Sequence, residues 1–200
     1  MKDDKNLTKP DSNDEKELGF YGELFDWLSS IFSAILCFII IFTIAARLIT
    51  VDGDSMKPTL ENTERLVVSD MFYQPAYGDI VIIYADKLVD ITNGKMGKPI
   101  VKRVIGLPGD VIRIDFERGI VYRNGTELKE DYIKAPTMLA QDFPNNTDVV
   151  IEEGKVFVMG DNRNESKDSR SNDVGQVDIR YIMGKAYFRV WPFSRFGSIY

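Results

Sequence analysis

Read for its alternation of apolar and polar positions, the chain divides at Arg47. Residues 27–46, WLSSIFSAILCFIIIFTIAA, form twenty positions without a charge between Asp26 and Arg47. That is long enough for a helix to cross a bilayer. A soluble core helix would carry a polar stripe, whereas this run offers only Ser29, Ser30, Ser33 and Thr43. A cleaved leader would open with a short basic segment, but the residues ahead of this run are numerous and acid-rich, so the pattern predicts an uncleaved anchor. Beyond Arg47 the period drops to two. After an extended segment at 48–51, β-branched runs recur at 65–69, 79–84, 100–105, 111–115, 120–122, 149–152, 156–159 and 184–190. This spacing predicts an all-β, β-dominated domain. Asn124-Gly125 after Ile120-Val121-Tyr122 predicts a hairpin, and Pro108-Gly109-Asp110 another turn. Residues 134–148 read as a long surface connection, and no internal repeat is visible.

The chain has 200 residues, enough for one domain with a real core beyond the tether. We therefore expect a disordered tail at 1–26, an anchor at 27–46 and a folded domain at 47–200. Lys2, Lys5, Lys9 and Lys16 precede the apolar run, and Arg47, Lys57 and Arg65 follow it, which biases the N-terminus only slightly toward the cytoplasm. Net charge is −6, with no basic block after Arg47, so nucleic acid is not an expected partner. The one cysteine, Cys37, forms no internal disulfide and reads as a small hydrophobe. With no histidine, this lone cysteine and scattered carboxylates, no metal site and no cofactor are implied.

The lack of histidine also excludes a Ser-His-Asp triad. If a serine here attacks a carbonyl, lysine is the remaining common side chain that can be tuned to take its proton. Ser55 follows Gly53-Asp54 and precedes Met56-Lys57-Pro58, a turn able to expose a hydroxyl and aim backbone N–H groups at an oxyanion. Lys57 and Lys102 are the candidate bases. Lys57 sits in a polar turn, where solvation keeps it charged. In Ile100-Val101-Lys102-Arg103-Val104-Ile105, alternation puts Lys102 with Ile100 and Val104, and Arg103 with Val101 and Ile105. Lys102 is then buried if the Ile100/Val104 face is a core face. A lysine at its reference pKa of about 10.4 accepts no proton at neutral pH, and a dry site lowering it by about 2 to 3 units would release the amine for that task. A third segment, MGDNRNESKDSR at 159–170, leaves a strand-like run as a polar loop in which Asp168 and Arg170 can pair across a turn.

Together GDSMKPTL, KRVIGLPGD and GDNRNESKDSR resemble, in the same order, the conserved boxes of type I signal peptidases, membrane-anchored Ser/Lys endopeptidases that remove leaders from exported proteins. The resemblance implies that Ser55 is the nucleophile and Lys102 its general base. It implies that Ser166 orients the lysine amine, that Asp168 and Arg170 support the site, and that Gly160, Asp161 and Asn162 open the supporting loop. It assigns Met56, Leu60, Ile100 and Val101 to shallow S1 and S3 pockets that accept alanine around the cleavage point. Members with a serine at the position of Gly53 use its hydroxyl in the oxyanion hole. Gly53 resembles the Gram-positive branch, where backbone N–H groups of Ser55 and Gly53, or water, are expected to serve.

The resemblance further implies a single-pass protein of the cell membrane, N-terminus in the cytoplasm and catalytic domain outside, acting on signal peptides at the bilayer surface. The substrate backbone is expected to add as a β-strand. Phe193 and Phe196 are candidates for lipid contact or for core packing, and association with the secretion channel is left open. Two other readings stand beside this one. They are a self-cleaving Ser/Lys protease of the SOS-repressor type, and an anchored β-domain that binds exported chains without cutting them.

Overall fold

A computed structural model describes residues 12–89 and 96–199, without side chains at 12–22, 40–45, 86–89, 96 and 98. The chain separates into two units after Ile44. The first is helix α1, Ser12–Ala45. It begins well ahead of residue 27, so helix replaces the expected disordered tail from Ser12 onward; residues 1–11 of that tail lie outside the described residues. The reason is legible in Ser12-Asn13-Asp14-Glu15, an S-x-x-E helix-start pattern with acids where the helix dipole favours them. Every residue from 23 to 39 is exposed. Among the described residues no helix is long and apolar enough to cross a membrane. The expected span takes in residues 40–45, whose side chains lie outside the description.

The second unit is built from antiparallel strands: β1 (Arg47–Thr50), β2 (Arg65–Ser69), β3 (Ile80–Val89), β4 (Met96–Gly106), β5 (Val111–Asp115), β6 (Ile120–Arg123), β7 (Thr126–Glu127), β8 (Val149–Val150), β9 (Lys155–Met159), β10 (Val177–Asp178), β11 (Ile182–Trp191) and β12 (Gly197–Ser198). The larger sheet runs β1-β2-β11-β3-β4-β9-β10, with β12 beside β11, and the smaller runs β7-β6-β5-β8. The eight expected runs and the segment at 48–51 each overlap a strand. The two-residue strands β7, β10 and β12 escaped notice because so short a segment shows no period. Asn124 and Gly125 take φ of 54° and 78°, the left-handed pair of a tight hairpin joining β6 to β7.

β3 shows why a continuous apolar run forms here. Ile80 and Ile82 pack with Met56, Leu60 and Leu66, while Val81 and Ile83 pack with Val104, Val156 and Val158. Both faces are therefore covered, and burying each such side chain contributes about 1.5–3 kcal/mol. A third cluster, around Ile105, Ile112, Ile114, Phe143 and Phe157, joins the smaller sheet to the larger. Phe193 and Phe196 are exposed, which removes them from the core.

β4 changes neighbours along its length. β3 flanks it from Met96 through Arg103, but pairing with β9 begins only at Arg103, opposite Met159. Ahead of Arg103, β3 is the one strand that pairs with β4 among the described residues. β1 likewise pairs with β2 alone.

Candidate active site

Ser55 lies on the loop between β1 and β2. Val51 N–H donates to the Glu64 carbonyl (2.8 Å) and Thr63 N–H to the Val51 carbonyl (2.9 Å), closing the loop at its base. Within it Lys57 N–H donates to the Asp54 carbonyl (3.2 Å) and Leu60 N–H to the Met56 carbonyl (2.9 Å), winding residues 54–60 into consecutive turns. Met56 and Leu60 anchor those turns in the core, and Ser55 is left half-buried between them and solvent. Gly53 takes φ +92°, a conformation glycine adopts without strain. Its N–H already donates to Asn62 Oδ1 (3.0 Å), whereas the Ser55 N–H has no acceptor among the described residues.

Lys102 is the last β4 residue before β9 joins, and it is 3% exposed. Val104 on its face is fully buried and Ile100 packs against the same cluster, so that face is a core face. The Lys102 amine donates to Ser55 Oγ at 2.7 Å. Lys57, the other candidate, is half-exposed and pairs with the Asp54 carboxylate at 3.1 Å.

The loop after β9 wraps this pair. Asn162 donates its N–H to the Ser55 carbonyl (3.0 Å) and its side-chain amide to the Asp54 carbonyl (3.1 Å), fixing the two peptide units that carry the hydroxyl. Glu165 Oε2 accepts from the same amide group at 2.9 Å. Gly160 has no room for a side chain: a Cβ there would strike Ser166 Oγ and the Ser55 carbonyl. Ser166 Oγ donates to Asp168 Oδ2 (2.8 Å), and Asp168 also accepts from Gly160 N–H (3.0 Å) and from Arg170 Nε and Nη2 (2.8 and 2.9 Å). Asp168 is wholly buried. Burial alone would raise its pKa, but the Arg170 hydrogen bonds and charge, the Gly160 N–H and the Lys102 amine outweigh it and hold the carboxyl below its usual range.

Asp161 faces the other way. It receives Arg103 Nε and Nη2 at 2.9 and 2.7 Å, and the Thr59 hydroxyl, while Arg103 Nη1 donates to the Gly78 carbonyl (2.9 Å). Desolvation opposes the Arg103 charge, yet Asp161 more than compensates and the guanidinium pKa is raised. A second buried pair, Arg163 with Glu130 (2.7 and 2.6 Å), holds the loop's midpoint, and Arg163 Nε donates to the Gly160 carbonyl (3.0 Å). Arg103, Thr59, Glu130 and Arg163 were not anticipated. The available signal was Arg103 itself, a charge on the face shared with Val101 and Ile105, which demands a buried partner.

Of the residues expected to line pockets, Met56, Leu60 and Val101 gather in one cluster. Ile100 belongs to the cluster on the opposite side of β4. Met56 and Leu60 are at most 1% exposed, so in this structure both are core side chains and neither presents a surface to a ligand.

A serine hydroxyl at 2.7 Å from a buried amine, backed by an ordered polar loop, is an arrangement suited to nucleophilic attack. The signal peptidase, peptidase S26 family matches residues 24–191. A protein named probable signal peptidase I-1, from Synechocystis, is 40% identical over 74% of this chain and 73% of its own length. Signal peptidase IB of Staphylococcus aureus is 36% identical over 87% of this chain and 93% of its own. A solved signal peptidase I from Enterococcus faecalis V583 is 29% identical, with a TM-score of 0.40, over 56% of this chain and 97% of that one. By the extent of the family match and the identity to these relatives, the chain belongs to the peptidase S26 family of signal peptidases, which are serine endopeptidases.

Proposed function

We propose that the chain is a membrane-anchored endopeptidase that cuts signal peptides from exported preproteins at Ala-X-Ala-like junctions, with Ser55 as nucleophile and Lys102 as general base. The observation that carries this reading is the 2.7 Å separation of Lys102 Nζ and Ser55 Oγ, two side chains 47 residues apart. The same separation serves a neutral amine that accepts from the hydroxyl. Burial of Lys102, which takes its amine out of water, favours the uncharged form. The neighbouring Asp168 carboxylate opposes this, and its engagement with Arg170 moderates the opposition.

In the first half-reaction the Ser55 proton passes to Lys102 as Oγ bonds the scissile carbonyl carbon. The tetrahedral oxyanion takes the Ser55 N–H, with water as the second donor because Gly53 N–H is engaged by Asn62. Collapse breaks the C–N bond, Lys102 returns the proton to the departing amine, and an ester on Ser55 remains. Lys102 then takes a proton from water as its oxygen attacks the ester carbonyl, and when the second tetrahedral intermediate collapses the C–Oγ bond breaks and Lys102 returns that proton to Oγ. Ser166, Asp168 and Arg170 hold the lysine's surroundings, and Gly160, Asp161 and Asn162 hold the loop against Ser55.

β1, paired with β2 alone, and β4 ahead of Arg103, paired with β3 alone among the described residues, both lead to these residues, which supports binding of an extended substrate as an added strand. Val101, packed beside the buried Met56 and Leu60, marks where a small residue such as alanine would lie, and Ile100, on the other side of β4, takes no part in that contact. Helix α1, whose side chains from 23 to 39 are exposed and mostly apolar, is the anchor, since lipid relieves the exposure that water would penalise. The N-terminus is cytoplasmic and the β-domain extracytoplasmic. Incubating the purified chain with a peptide bearing an Ala-X-Ala junction tests the reading. Cleavage after the second alanine, absent in Ser55→Ala, is the expected result. An intact peptide with folded protein would favour a binding module instead.

A further inference from the structure

Two arginines from the end of the β-domain reach the loop that carries Ser55. Arg189 of β11, and Arg195 in the 3-10 turn that follows it, each bring Nη1 to 2.8 Å from Glu64 Oε1. Glu64 is 2% exposed, and its carbonyl closes the loop by accepting from Val51 N–H. Arg195 Nη2 donates to the carbonyls of Pro58 (3.4 Å) and Thr59 (3.5 Å), and Arg189 Nη1 to that of Thr59 (3.5 Å). The pairing of β11 with β2 breaks register on both sides of Arg189, an irregularity that re-aims a side chain.

These contacts cross the border of a cavity. Its volume is about 650 Å³, and Pro58, Thr59, Arg103, Tyr132, Arg189 and Arg195 are among its walls. On that side residues 58 and 59 are not backed by close-packed side chains, so charged struts decide where they sit. A buried ion network adds little net stability compared with apolar packing, so its value here lies in geometry. We propose that Glu64, Arg189 and Arg195 are positioning residues that set Ser55 against Lys102, an inference that rests on the Ser/Lys reading above. Displacement of the Thr59 carbonyl is passed on through the Leu60-to-Met56 and Lys57-to-Asp54 backbone bonds, which make residues 54–60 one unit.

The test uses the full-length chain in detergent with the Ala-X-Ala peptide, comparing wild type with Arg195→Lys and Arg189→Lys. Each lysine keeps the charge; at 195 it loses the two-nitrogen span from the Glu64 carboxylate to the Pro58 and Thr59 carbonyls, and at 189 it replaces Nη1, which alone meets Glu64 and the Thr59 carbonyl, with an amine of shorter reach. The expected result is a kcat lower by about tenfold to a hundredfold, KM nearly unchanged, and a displaced acid limb of the kcat/KM–pH profile, because Ser55 and Lys102 no longer meet at the same separation. Active-site titration with an acylating inhibitor reports kcat per functional molecule. Normal turnover per titrated site and an unmoved acid limb would overturn the proposal, leaving only a structural role. Should Arg189→Lys fail to fold, Arg195→Lys, whose side chain is 33% exposed, decides alone. A wild-type chain that leaves the peptide intact overturns the protease reading and this inference with it. An active wild type with unaffected variants overturns this inference only.

Discussion

Asp161 and Arg103 meet edge to edge, two N–H groups of one guanidinium on the two oxygens of one carboxylate, at 2.9 and 2.7 Å. The pair ties the β4 residue next to Lys102 to the loop that fixes Ser55, and both side chains are buried. Arg103→Met leaves the Asp161 charge stranded, and breaking a buried pair in this way costs about 3–5 kcal/mol. Urea unfolding should show that loss, with part of it recovered in the double variant Arg103→Met/Asp161→Leu. Equal stability of wild type and Arg103→Met would refute the assignment.

Replacing Lys102 separates charge from basicity. Lys102→Met removes the proposed base and should lower kcat by roughly 10²- to 10⁴-fold. Lys102→Arg should be no better, because a guanidinium stays protonated. Peptide cleavage followed by chromatography, with circular dichroism to establish folding, reads both. Substantial turnover by Lys102→Arg would rule out proton abstraction at this position.

Gly160→Ala tests the fit of the loop against Ser55. The added methyl must displace Ser166 Oγ and the Ser55 carbonyl, and a shift near 1 Å in a reacting group costs on the order of a hundredfold in rate. The variant should keep its strand content and lose most of its turnover. Wild-type kcat would mean that the loop yields without consequence.

The depressed pKa of Asp168 makes stability depend on pH in a defined sense. In the unfolded chain the carboxyl titrates near its reference value of about 3.9, so its contribution is complete above that pH and is lost as pH falls toward the lower folded value. Melting temperature should therefore decline on acidification below about pH 4. Asp168→Asn should start lower near neutrality, leaving Arg170 without its carboxylate, and decline less steeply in acid. Parallel curves for the two proteins would contradict this.

The sequence exposed those parts of the site that repeat along the chain. Alternation through residues 100–105 put Lys102 and Arg103 on opposite faces of one strand, but which of the two faces met the core, and so whether the lysine was buried, alternation alone left open. The proximity of Asp168 to Arg170 was legible because two residues across a turn are within reach whatever the fold. Partners brought in by tertiary folding were not: nothing local links Arg163 to Glu130, or Arg195 to Glu64, since such pairs depend on loop paths that carry no period. The early start of α1 was missed for another reason. Acidic, lysine-rich composition suggested a solvated tail and masked the Ser12-to-Glu15 helix signal.

The one-sided pairing of β4 has a bearing on what the protein would refuse. A polypeptide must lie straight, with its own amides unspent, to complete that ladder, so a helix or a finished domain reaching as far as the junction offers nothing to bond. Under the strand addition proposed above, backbone shape would act as a proofreader, and a passenger folded up to the junction would be passed over.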